Sequence, residues 1–145
     1  MRDDLFITER GKGAYLNGKK LKVSTTASLS RSLLATGFPY DIRESKDNNI
    51  NHFKLMAMEA QAIRRAGAAA LDIAYLACGR FDGFWELKLM PWDMAAACLM
   101  VEESGGIISN IAGGKWDIYS PNVLISNGLI HEQMISVLKT SSRML

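Results

Sequence analysis

Two carboxylates flank a short turn in the stretch Glu86-Leu87-Lys88-Leu89-Met90-Pro91-Trp92-Asp93. Glu86 closes an aromatic run, Phe81-Asp82-Gly83-Phe84-Trp85, which suits a strand. Asp93 falls in the first turn of an apolar helix that Pro91 opens, a position where the missing N–H of proline is no loss. A helix this apolar is expected to be buried, and a buried aspartate is paired, holds a metal ion, or satisfies free helix amides. Position alone leaves capping and ligation open for Asp93. Helix N-termini at open strand ends also receive phosphate esters, and magnesium takes one or two carboxylates with phosphate oxygens and water. Glu86 and Asp93 cannot by themselves build a two-metal phosphatase site, which needs more acidic oxygens. Glu102-Glu103 reads as solvated surface charge, and Asp82 and Asp117 read as turn residues.

The elements that must position these groups are legible in the spacing. Residues 3–23 read as β-structure, with Asn17-Gly18 as the two positive-φ positions of a tight hairpin turn. Leu33 to Thr36 reads as a short buried strand that Pro39 stops, and 41–51 as a polar loop. Phe53, Met56, Ala57 and Ala60 predict a helix over 51–62. A second helix over 67–78, apolar almost all round, is expected to be buried and capped by Gly79. The helix 91–104 ends at Gly105-Gly106, strands follow at 107–109 and 123–125, and 130–138 is a last amphipathic helix. Helices alternating with short apolar strands predict a layered α/β domain. The opening hairpins have little to cover them. Residues 1–36 are therefore expected to be antiparallel strands of an incomplete N-terminal sheet, and 37–145 a C-terminal α/β domain.

The chain has 145 residues, 48% hydrophobic and 22% charged, the balance of one soluble globular domain. Its net charge of +2 is too even to imply nucleic-acid binding by charge. The apolar tract 66–79 is too short to span a bilayer, so no membrane partner and a cytoplasmic location are expected. Cys78 and Cys98 read as buried free thiols.

Four stretches follow one another in order: Arg64-Arg65-Ala66-Gly67-Ala68-Ala69-Ala70-Leu71-Asp72, Gly79-Arg80-Phe81-Asp82-Gly83-Phe84-Trp85-Glu86, Pro91-Trp92-Asp93-Met94-Ala95-Ala96 and Glu103-Ser104-Gly105-Gly106. Together they resemble the second half of the inositol monophosphatase family. The likeness extends upstream through Glu9-Arg10-Gly11-Lys12-Gly13-Ala14 and downstream to Ser126-Asn127, and Thr36-Gly37-Phe38-Pro39 is similar to the bacterial, extragenic-suppressor-type branch.

The resemblance implies the C-terminal half of a layered αβαβα sugar-phosphatase fold, a mixed sheet flanked by helices, with antiparallel hairpin strands from the other half's sheet. It implies Mg2+ as cofactor and Asp93 as a catalytic metal ligand that also touches substrate. Glu86 would accept hydrogen bonds from inositol hydroxyls, and Gly67, Ala68 and Ala69 would line the substrate site. The implied substrate is inositol monophosphate or a related phosphate ester. Fructose bisphosphate and 3′-nucleotides are alternatives within the superfamily. A homodimer and, in bacteria, transcription factors or RNA polymerase are the implied partners, so a non-catalytic interaction module is the reading of another class. The family's first signature, Asp-Pro-(Ile/Leu)-Asp-Gly-Thr, and its preceding glutamates do not occur in this sequence. The chain is accordingly expected to be a fragment or the product of a downstream start, with little activity alone.

Overall fold

The computed structural model describes residues 3–141. Strands β1 (Phe6–Glu9), β2 (Gly13–Leu16) and β3 (Lys19–Lys20) form an antiparallel sheet. Its hairpin turns on Asn17 and Gly18, both at positive φ as the two-residue connection requires. A 3-10 turn, Leu29–Arg31, leads into β4 (Leu33–Thr36), and the polar loop then runs to α1 (Ile50–Glu59). There follow β5 (Ala62–Arg64), α2 (Ala69–Ala77), β6 (Gly83–Leu87), α3 (Pro91–Ser104), β7 (Ile107–Ser109), β8 (Asn122–Ser126) and α4 (His131–Ser141).

The second sheet has the order β5-β4-β6-β8-β7, with β4 parallel to β5 and β6, and β8 antiparallel to β6 and β7. Alternation along its strands splits the core in two. Ala35, Phe84, Val123 and Ile125 point to the cluster containing α2 and α3, while Leu34, Trp85 and Leu124 point to that of α1 and α4. This mixed sheet between helical layers, with the antiparallel strands beside it, is the predicted fold class.

Four sequence expectations need correction. Helix α1 ends at Glu59, and Ala62–Arg64 is an edge strand paired in parallel with Leu33–Ala35. Parallel pairing beside a buried strand outweighs a helical spacing that Ala60 prolongs only weakly. Strand β4 belongs to the five-stranded sheet, so a boundary at residue 36 groups it with strands it does not pair with. The small sheet is also better covered than expected: Ala14, Leu21 and Val23 join the α2–α3 core. The Glu103 carboxylate accepts the amides of Gly11 at 2.7 Å and Gly13 at 2.8 Å, which holds its own pKa below the usual carboxylate range. Glu103 is thus a tie between hairpin and helix rather than a merely solvated charge.

Candidate active site

Strands β4 and β6 run in parallel and end side by side, and the N-termini of α2 and α3 stand over those ends. Such a crevice at the carboxyl edge of parallel strands is where α/β sheets bind ligands. Here it is a cleft of about 330 Å³. Gly67, Ala68 and Ala69, Glu86 and Asp93, and the segment Thr36 to Tyr40 all line it.

All five residues singled out from the sequence therefore line one cleft. Glu86, on the α2–α3 face of β6, is 8% exposed. Burial, then the negative charges of Asp72 and Asp93, push its pKa up to about 7, and Arg65 opposes them. A Cβ added to Gly37 would overlap both oxygens of the Glu86 carboxylate. The Glu86 carboxylate therefore packs directly against a residue without a side chain. Gly67 adopts φ 93, a conformation that glycine reaches without strain, and a Cβ there would meet nothing within 4 Å. Its backbone conformation, not crowding within the chain, calls for glycine.

Asp93 is half-buried rather than buried, because α3 is not enclosed: Trp92 is 77% exposed and Ala95 and Ala96 face outward. One oxygen of Asp93 accepts the Met90 amide at 3.0 Å, so the aspartate does cap the helix. Helix α2 likewise starts at Ala69, later than expected, and leaves Leu71 exposed.

Four contributors escaped the sequence reading. Asp72, 2% exposed, lines the cleft with one buried oxygen unpartnered, and burial pushes its pKa up to about 6. The signal was present: an aspartate inside an apolar helical run raises the same question as Asp93. Arg65 lies over the Phe38 ring, 5.4 Å from its centroid, at the rim. Lys88, at φ 59, donates to Asp41 at 2.7 Å and Ser45 at 2.9 Å and so ties the polar loop to the end of β6. Gly37 needs its absent side chain because of a residue far along the chain, which no local pattern reports. Asp82, expected in a turn, is instead a buried brace accepting the Leu33 amide at 2.7 Å and the Ser24 hydroxyl. Asp117 is a turn residue, accepting the Tyr119 amide at 2.8 Å.

Three carboxylates in a half-enclosed cleft repel a bare anion and suit hydroxyl donors or a cation. A complete cation site is not there: among the described residues, no three acidic, histidine or cysteine side chains stand close enough to share a metal ion. Asp93 offers one oxygen beyond that engaged by Met90. The carboxylates of this chain thus fit part of a magnesium shell and not the whole of one.

Residues 1–143 match the model of the inositol monophosphatase family. This chain belongs to that family. An inositol-1-monophosphatase of Synechocystis sp. is 44% identical over 137 residues, covering 94% of this chain and 48% of that protein. The Nus factor SuhB of Escherichia coli K12 is 43% identical over 136 residues, 94% of this chain and 51% of its own length. The solved inositol monophosphatase of Anabaena (Nostoc) sp. superposes with a TM-score of 0.93 at 43% identity, over 95% of this chain and 55% of that one. The chain spans about half the length of the inositol monophosphatase relatives it matches.

No helix among the described residues is long and apolar enough to cross a membrane. The cysteines are free; Cys98 is buried, which pushes its thiol up to about 12, and Cys78 is half-buried against the Tyr75 carbonyl.

Proposed function

We propose that this chain forms the polyol-binding part of a magnesium-dependent phosphatase that hydrolyses inositol monophosphate to inositol and phosphate. The observation that carries the reading is the cleft in which Glu86, Asp93 and the 67–69 backbone converge at parallel strand ends. Glu86 would accept hydrogen bonds from ring hydroxyls, and the 67–69 segment would lie along the ring. Magnesium, when bound, would polarise the phosphate and lower the pKa of an attacking water. Asp93 would give it one oxygen, and the remaining ligands would come from residues other than these. The 145-residue chain alone is then expected to bind magnesium weakly and to turn over little substrate. Assembly as a homodimer and a cytoplasmic location belong to the same reading.

Phosphate release from myo-inositol 1-phosphate, fructose 1,6-bisphosphate and a 3′-phosphonucleotide, measured on a protein carrying this chain within a full-length relative's frame, tests it. Preferential, magnesium-dependent release from the inositol ester is expected. Asp93→Asn separates ligation from capping, because asparagine caps helices about as well as aspartate. Ligation predicts turnover down roughly 10²-fold or more with a raised magnesium requirement. Normal turnover at the same magnesium concentration would leave Asp93 only its cap. The likeness to a Nus factor favours one second reading, an interaction module for the transcription machinery. Retention of RNA polymerase or its associated factors on the immobilised chain tests that reading.

A further inference from the structure

Asn49 stands at the N-cap position of α1, where an asparagine side chain ordinarily accepts a helix amide. It makes no such bond. Its backbone sits at φ 71, a left-handed conformation unusual for a residue with a side chain, and the residue is 2% exposed. The side chain is turned away from its own helix into a closed ring of hydrogen bonds. Trp85 Nε1 donates to Asn49 Oδ1 at 2.7 Å, Asn49 Nδ2 donates to Thr36 Oγ1 at 3.0 Å, and Thr36 Oγ1 donates to the Trp85 carbonyl at 2.6 Å. The second hydrogen of Nδ2 goes to the Gly37 carbonyl at 2.6 Å. Every donor and acceptor in the ring is satisfied, an arrangement that rigidifies a buried polar cluster.

What the ring holds is the back of the cleft. Trp85 and Glu86 are neighbours on β6 with side chains on opposite faces. Gly37 follows β4 and is the residue over which the Glu86 carboxylate packs without room for a Cβ. Asn49 therefore ties together the two strand ends beside which Glu86 stands, and forgoes a helix cap to do so.

We propose that Asn49 is a positioning residue for polyol recognition, fixing Trp85 and Gly37 so that the Glu86 carboxylate faces the cleft. This inference rests on the reading of Glu86 as the carboxylate that binds substrate hydroxyls. Asn49 touches no substrate and acts from behind the sheet.

Asn49→Gly deletes all three side-chain bonds and keeps the positive φ without strain. In 15N–1H spectra of the ligand-free chain, the variant should move the Trp85 indole and the Gly37 and Glu86 amides, while those of the β1–β3 sheet stay in place. Its affinity for myo-inositol 1-phosphate should fall tenfold or more relative to Ile135→Val, a control that removes one methyl from buried packing on α4. If Asn49→Gly does not fold, Asn49→Asp tolerates the same backbone, keeps an acceptor for Trp85 and removes both donors, and should shift the same three signals. Unmoved Glu86 and Gly37 amides, or affinity equal to that of the control, would overturn the proposal. Failure of the underlying reading looks different: the Glu86→Gln chain would then bind the inositol ester as well as the wild type, whatever Asn49→Gly does.

Discussion

Replacing Glu86 by glutamine should change the pH dependence of folding more than its level. The carboxyl rises from an ordinary 4.5 to about 7 because burial and the nearby charges of Asp72 and Asp93 disfavour ionisation. A folded-state pKa above the unfolded one means that the native chain holds the proton more tightly. The associated stability is complete below 4.5 and is lost as pH rises through about 7. At about 1.4 kcal/mol per pKa unit, the loss is roughly 3 kcal/mol by pH 9, a large share of the ~5–15 kcal/mol that holds a domain of ordinary stability. Glutamine fills the same space over Gly37 and does not titrate. Urea unfolding of the wild type and Glu86→Gln at intervals from pH 5 to 9 should therefore give curves that are close at pH 5 and separate by about 3 kcal/mol at pH 9, the variant being the more stable. Part of that gap is shared with Asp72, whose own pKa of about 6 should keep a smaller slope in the variant. Parallel curves across this range would refute the claim that an ionised Glu86 is held in the cleft at a cost.

Gly37→Ala should destabilise by ~1–3 kcal/mol through overpacking against the Glu86 carboxylate, and Glu86→Gly should restore most of the loss; additive effects in the double mutant would contradict the contact. His131 is buried between the Ser109 and Ser126 hydroxyls, 2.9 Å from each, and burial lowers its pKa below 6.5. Stability from this group should be full above pH 6.5 and fall away in acid. In a Glu86→Gln, Asp72→Asn background the fall should be visible from pH 7 to 5 and reduced by His131→Asn, the remainder coming from His52, which burial also shifts down. Glu103→Ala should speed hydrogen exchange at the Gly11 and Gly13 amides while leaving α3 protected, and in the wild type the strands of 3–23 should exchange faster than 91–105. Equal protection in both segments would contradict that ordering.

Much of the fold was legible because its signals are local. Pro91 and Gly105 bracket α3, Asn17-Gly18 turn the hairpin, and the later part of the aromatic run, Gly83 to Glu86, forms most of β6. The edge strand at Ala62–Arg64 was not, since three residues acquire strand character only from their pairing with β4. The site divides in the same way. Glu86, Asp93 and Gly67 carry type and position in the sequence, and ordered resemblance joins them. Gly37, Asn49 and Lys88 matter through partners many residues away, so their significance appears only when the chain is folded. The exposure of Trp92 and of one face of α3 was missed because an apolar composition says that a face seeks cover, not that cover is at hand.

On the proposed reading, the cleft over β4 and β6 receives a polyol phosphate. Titration of the 15N-labelled 145-residue chain with myo-inositol 1-phosphate, in the presence of magnesium, tests it most directly. Progressive, saturable shifts are expected at Gly67, Ala68, Ala69, Glu86 and Asp93, strongly weakened in Glu86→Gln, with the β1–β3 hairpins unchanged. A spectrum that does not move at these residues, or moves equally in Glu86→Gln, would contradict it.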